Sequence, residues 1–316
     1  MRTRLALLLS LCVLSPAALA CTPQPLTAEP AGDTVRRNLC YGEATWNEPT
    51  LEGEPLLEQV FDYFPLAGAT PAPLVIWAHP NGKTKWLKPG SEAYLALVQQ
   101  AHDQGFAFVS LEFRHPVSNE DIVPVPHRDI AQAIQFIRAN AEALGVDPDN
   151  LFLVGQSRGS LGLWTALQND MADPGSDDQL LQQSTRVNAV FAYQGQTTYD
   201  GREFADLFLI EADRRAAKAK WKKDHPQYAL FGSAIRSVGD DDPPVLLRYA
   251  HPFVGRPLSA REMARQDSLH YPDMGPALCA AYAQAFGDNR HCSAQDNVPA
   301  GQAFDGYAQF FRQYLR

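Results

Sequence analysis

The residues best suited to chemistry lie in Gly155-Gln156-Ser157-Arg158-Gly159. A serine hydroxyl is a weak nucleophile until a base removes its proton and fixed donors receive the oxyanion it creates. G-x-S-x-G serves that chemistry when a strand runs into it and a helix leaves it. The turn then holds the serine in a strained backbone conformation, glycine fits the two crowded flanking positions, and the helix start aims its free N–H groups at the reacting centre. Both neighbours are predicted here. Leu151 to Val154 is a short, wholly apolar run that suits a strand buried on both faces. Leu161, Trp164, Thr165 and Leu167 fall on one side of the helix after it. The bland alternative is a small-residue turn between a strand and a helix; the flanking elements favour a nucleophile at Ser157.

The elements that must position this serine follow the same rhythm. Leu74 to Ala78 is a core strand ending in His79-Pro80-Asn81-Gly82, and Gln59 to Phe64 alternates as an earlier strand. Ser91 caps a helix running to about Gln104, and Phe106 to Leu111 is the next core strand. His127 to Leu144 repeats Ile130, Ala133, Ile134, Ile137, Ala141 and Leu144 at helical spacing. Val187 to Tyr193 and Pro243 to Tyr249 are later strands, and Met274 to Phe286 and Gln302 to Leu315 are helices. Strands alternating with long helices predict an α/β fold with a doubly wound, mostly parallel sheet. Ligands in such sheets bind beyond the carboxyl ends of the strands, where His79 and Ser157 both fall. Thr197 to Asp242 breaks the rhythm with a charged helical segment. It reads either as a lid-like insertion or as a solvated excursion. The KAKWKKDH run, Lys218 to His225, reads as a solvated face.

The chain has 316 residues, 45% of them hydrophobic and 10% aromatic, enough for a sizeable core in one large α/β domain or two small ones. With 36 acidic against 27 basic residues the formal net charge is -9, which argues against a nucleic-acid or anionic-membrane partner. The expected organisation is a targeting segment over 1–20, an N-terminal arm with the first strands over 21–73, and the main domain over 74–316, with 197–242 inserted. Arg2 and Arg4, the apolar run Leu5 to Leu14 and Ala18-Leu19-Ala20 carry the targeting signal, and no later apolar run is long enough to span a bilayer. Cys21, Cys40, Cys279 and Cys292 then remain, an even number whose spacing suggests Cys21–Cys40 and Cys279–Cys292 disulfides in an oxidising compartment. The expected location is periplasmic or secreted; the alternative is a lipoprotein anchored through Cys21, because Ala-Leu-Ala-Cys loosely resembles a lipobox.

With these motifs in place the chain resembles the α/β-hydrolase family, and within it the hormone-sensitive-lipase and BD-FAE feruloyl esterases. The resemblance covers roughly Leu74 to Arg316. It rests on His79-Pro80-Asn81-Gly82, the Gly155–Gly159 turn, Asp241-Asp242-Pro243-Pro244-Val245-Leu246-Leu247 and Asp267-Ser268-Leu269-His270. It implies a nucleophile, then an acid, then a histidine, in that chain order. Carried over, Ser157 is the nucleophile, and the N–H of Arg158 with Asn81 and Gly82 form the oxyanion hole. The family often places its acid soon after the strand ending at Tyr249, where Ala250-His251-Pro252-Phe253 carries no carboxylate; Asp267 is the next match, against the reading of a capping aspartate. His270 and His291 lie beyond it. His270 stands too close to Asp267 for a separate loop, so His291, beside Cys292, is the expected base.

Asp240, Asp241 and Asp242 are expected to be turn residues. His79 is expected either to line the pocket and touch substrate or to be structural, while Arg158 either grips a substrate carboxylate or lies buried against an acidic neighbour such as Glu112. No metal or organic cofactor is expected. The implied activity is hydrolysis of a small carboxylic ester. A peptidase of the same fold and a binding protein on a degraded hydrolase scaffold are the rivals.

Overall fold

In the computed structural model the described residues are 34–43, 46–47, 56–68, 71–82, 84–85, 92–114, 124–167, 170–224 and 232–316. The targeting segment, Cys21 and Ser91 lie outside them.

The strands are β1 (Arg36–Cys40), β2 (Trp46–Asn47), β3 (Leu56–Leu57), β4 (Val60–Phe64), β5 (Ala72–Ala78), β6 (Ala107–Glu112), β7 (Val146–Gln156), β8 (Ala189–Tyr193), β9 (Val245–Arg248) and β10 (Cys292–Gln295). The helices are α1 (Glu92–Asp103), α2 (Pro124–Ala139), α3 (Ala141–Leu144), α4 (Leu161–Leu167), α5 (Gly201–Phe208), α6 (Glu211–Asp224), α7 (Ala260–Met263), α8 (Met274–Phe286) and α9 (Tyr307–Arg312). Eight strands form one sheet in the order β1-β4-β6-β5-β7-β8-β9-β10, and β2 with β3 forms a separate ribbon. From β6 to β10 every neighbouring pair is parallel; β4 and β1 run antiparallel at one edge. Within the 21–73 stretch, β1 and β4 belong to the main sheet.

The strand sequences explain a sheet covered on both faces. Along β5, Leu74, Ile76 and Ala78 face one core, while Val75 and Trp77 face the other; along β7, Leu151 and Leu153 oppose Phe152 and Val154 in the same way. The first core is closed by α2, α4 and α8 through Ile130, Ile134, Ile137, Leu163, Trp164, Leu278 and Tyr282. The second is closed by α1 and α9 through Leu97, Val98, Ala101, Tyr307 and Phe311. The result is three layers, helix, sheet and helix: an α/β-hydrolase fold.

Two expected helices are interrupted. The predicted span His127 to Leu144 divides at Asn140, whose amide donates to the Phe136 carbonyl at 2.8 Å and ends α2. The predicted closing helix from Gln302 is a short turn at Ala300–Gln302, then Gly306 in the left-handed region (φ 72°), then α9. β1, β2, β3 and β10 are not among the expected strands. Cys292–Gln295 is polar and short, yet it pairs residue for residue with Val245–Arg248.

Between β8 and β9 the inserted segment carries α5 and α6. Asp200 caps α5 and accepts hydrogen bonds from Arg202 and Arg236. Burial pushes the Asp200 carboxyl up, but those bonds outweigh it and hold it at about 2. From α5, Phe204 and Phe208 pack edge-on against Tyr271, with ring centres 5.9 and 5.1 Å away. Thr197 donates to the Met274 carbonyl at 3.1 Å. The insertion therefore braces the segment that leads into α8.

Candidate active site

At the carboxyl end of β7 the chain turns sharply. Ser157 is held at φ 49°, a left-handed conformation that costs a non-glycine residue on the order of 1 kcal/mol or more. Its two glycines are there for space. A Cβ on Gly155 would lie 2.4 Å from the Gly159 carbonyl oxygen, and one on Gly159 would lie 2.0 Å from that of Ala78. Gly159 also approaches the His79 carbonyl closely, so the turn after β7 lies directly on the start of the loop after β5. Ser160 locks the turn by donating to the Ser157 carbonyl and accepting the Gln196 N–H at 3.0 Å.

Ser157 Oγ lies 2.7 Å from His270 Nε2, and His270 Nδ1 lies 2.7 Å from Asp267 Oδ2. The three side chains form one unbroken relay. Asp267 Oδ1 accepts the backbone N–H groups of Leu269 and His270 at 3.1 and 3.3 Å. This turns the chain so that a histidine three residues on faces back to the same carboxylate. Burial pushes the Asp267 carboxyl up, but the hydrogen bond and charge of His270 and the two N–H groups outweigh it and hold it below its usual value. Tyr271, fully buried next in the chain, anchors the turn, and Asp273 fixes it further by accepting the Val254 and Gly255 N–H groups at 2.7 and 2.9 Å.

The expected base, His291, is at the wrong edge of the sheet. It immediately precedes β10, and its carbonyl accepts the N–H of Val245, the first residue of β9. Across the sheet Gln295 is level with Arg248, Tyr193 and Gln156. His291 thus stands four residues below the serine turn, about 13 Å at the usual rise per strand residue. Its ring stacks on Phe286 at 4.1 Å and its Nδ1 lies 3.6 Å from Asp288. The histidine that reaches Ser157 is His270. Its signal in the sequence is the Asp-x-x-His spacing itself, because the turn brings the ring back to the carboxylate without a separate loop.

His79 takes the structural one of its two expected roles, not the substrate-binding one. Its side chain is fully buried rather than lining a pocket; it stacks on Phe113 at 4.3 Å and faces Glu112 at 2.8 Å. Asn81 is exposed and Gly82 takes φ 73°, at the apex of the loop beside the serine turn. Arg158 is half-buried next to Ser157. Asp242 and Asp241 pair with Arg186 at 2.9 and 2.7 Å, a structural turn before β9. Cys279 and Cys292 are disulfide-bonded, tying α8 to β10; Cys40 is also disulfide-bonded. No group of three metal-ligating side chains occurs among the described residues, and no described helix is long and apolar enough to cross a membrane.

With that geometry in view, residues 62–251 match the family described as BD-FAE. The chain belongs to the BD-FAE family. A probable isoprenylcysteine α-carbonyl methylesterase of Arabidopsis thaliana is 26% identical over 165 residues, which is 51% of this chain and 31% of that protein, so the chain matches about a third of its relative's length. Among solved structures, a truncated carbohydrate esterase from gut microbiota superposes with a TM-score of 0.55 at 21% identity, covering 92% of this chain and 99% of that one. A thermophilic esterase of Thermogutta terrifontis with propionate bound gives 0.52 at 16% identity, covering 81% and 89%. These superpositions share the fold of this BD-FAE chain. The family match ends at residue 251, before the turn that carries Asp267 and His270.

Proposed function

We propose that this protein is an exported serine carboxylesterase that works through an acyl-enzyme on Ser157. The carrying observation is the Ser157–His270–Asp267 relay, with both contacts at 2.7 Å. His270 takes the hydroxyl proton on Nε2 as Oγ bonds to the ester carbonyl carbon. The tetrahedral oxyanion is received by the N–H of Arg158 and by the Asn81–Gly82 loop, a role supported by the close approach of Gly159 to the start of that loop at His79. Collapse breaks the ester C–O bond, and the departing alkoxide takes the proton from His270. Water then enters, gives its proton to His270, attacks the acyl carbon and releases the acid, while the proton returns to Oγ. Asp267 holds the imidazole in the tautomer that points Nε2 at the serine and balances its charge.

Export is supported by the expected targeting segment and by the disulfide between Cys279 and Cys292. The esterase name of the plant relative and the names of the superposed structures support a small ester as substrate. The degraded-scaffold reading rests on the short region around His291; the contact of His270 with Ser157 supports an intact base instead.

The test is intact mass after incubation with a fluorophosphonate, together with turnover of p-nitrophenyl acetate. Wild type should take one adduct and turn over; Ser157→Ala should take none and lose at least about 10⁴-fold in kcat, as other hydrolases lose on deletion of the nucleophile. A Ser157→Ala protein that still turns over sinks the assignment.

A further inference from the structure

The loop that carries Asn81 and Gly82 is bound at both ends by one buried carboxylate. Glu112, the last residue of β6, is fully buried. Its Oε1 faces His79 Nε2 at 2.8 Å, and its Oε2 accepts the backbone N–H of Lys85 at 2.8 Å. His79 is the first residue after β5, and Lys85 lies where the loop re-enters the buried interior. Each end is also fixed independently. The His79 ring lies flat on Phe113 and its Nδ1 is 2.9 Å from the Pro80 carbonyl. Lys85 gives its ammonium to Asp62 at 3.1 Å and to Asn38, and its carbonyl accepts from Ser110. Between these anchors Asn81 is exposed, so the apex takes its position from the two ends.

The protons fit a clamp. His79 is flanked by a carbonyl at Nδ1 and a carboxyl at Nε2. With Glu112 ionised, both ring nitrogens must donate; with Glu112 protonated, it donates to Nε2 while Nδ1–H donates to Pro80. In either form one proton is held between the two groups, and both loop ends stay bonded. An unpaired carboxylate in a fully dry site is costly, so the pair is retained as a unit.

We infer that Glu112, through His79 and Lys85, is a positioning residue that holds the Asn81–Gly82 loop where its N–H groups meet the oxyanion of the Ser157 reaction. The inference rests on the proposed esterase reading. Oxyanion donors act through fixed position, so a slack loop lowers kcat while leaving ground-state binding and the Ser157–His270 pair in place.

The experiment compares Glu112→Gln and Glu112→Met with wild type, reading kcat and KM on p-nitrophenyl acetate, melting temperature, and the final fluorophosphonate stoichiometry. A glutamine can donate to His79 Nε2 and accept from Lys85, so Glu112→Gln should keep kcat within about 5-fold. Glu112→Met removes both links and should lose about 100-fold or more in kcat, with KM within about 3-fold and full labelling at completion, because the nucleophile and base are untouched. A folded Glu112→Met protein with wild-type kcat overturns the inference, and so does a Glu112→Gln protein as impaired as Glu112→Met. If Glu112→Met does not fold, His79→Phe decides. It keeps the ring stack and cuts one link, so it should lose about 10-fold in kcat, and unchanged kcat overturns the inference. A wild type that neither labels nor turns over fails the esterase reading itself, which the variants would not touch.

Discussion

The serine turn and the acid–base turn solve one positional problem in opposite ways. The serine turn is built from backbone. Ser157 stands at φ 49°, and its glycines are compressed against the Gly159 and Ala78 carbonyls. Its geometry depends on β5 and β7 lying side by side. The acid–base turn is built from side chains within four residues, Asp267 receiving two N–H groups and a ring nitrogen. The first region resists change through packing; the second depends on hydrogen bonds in a partly exposed segment, where Asp267 is 45% accessible. The hydrogen bond from Ser157 Oγ to His270 Nε2 spans the two.

The difference predicts how each region breaks. The largest effect is expected at the joining contact: His270→Ala should lose at least about 10⁴-fold in kcat, whereas His291→Ala should stay within a few-fold, by analogy with other triads. The same ester assay on both variants checks this, and a reversed order would restore His291 as the base. Asp267→Asn should come next, with a loss of about 10³-fold or more in kcat from a misoriented tautomer and little change in melting temperature. Gly159→Ala should do the reverse at the serine turn. Its Cβ would meet backbone that cannot swing aside, so it should lose about 3 kcal/mol or more in stability, read by denaturant unfolding, with activity falling as the turn shifts.

The smallest effect separates acid stability from the relay. His127, on α2 against the serine-side helix α4, is buried, and its Nε2 lacks a hydrogen-bond partner among the described residues. Burial, then the neighbouring Arg128 charge, push its ring from 6.5 down to about 4. The unfolded chain binds a proton between those values and the folded chain does not. Stability is therefore complete above pH 6.5 and falls by about 3 kcal/mol as the pH drops toward 4. His127→Phe should flatten the fall in denaturant midpoint between pH 7 and 4.5; an unchanged fall would place the acid sensitivity elsewhere.

The same contrast decides what could be read in advance. Leu74 to Ala78, Leu151 to Val154 and α8 announce themselves because burial on two faces, or one helical stripe, leaves a periodic mark. The serine turn is legible because only glycine fits where backbone meets backbone. The base is not. Nothing in residue type distinguishes His270 from His291, and the expectation rests on the short chain distance from Asp267 to His270. Cys292–Gln295 is too polar and short to look like a strand, yet pairing with β9 puts His291 at the amino edge of the sheet. Glu112 is equally hidden: in the sequence it reads only as a possible acidic neighbour of Arg158, and its loop contacts arise only once β5 and β6 are adjacent.

The two outermost strands of the sheet share a property with consequences outside catalysis. β1 and β10 are five and four residues long, and the cysteine that ends β1 and the one that begins β10 are both disulfide-bonded. A sheet margin with free N–H and C=O groups invites another chain to add itself, and short, tethered margins discourage that. The covalent ties thus guard the protein against edge-to-edge association. In a reducing medium light scattering should rise while the central relay still works, so the protein would be lost to self-association before it lost its chemistry.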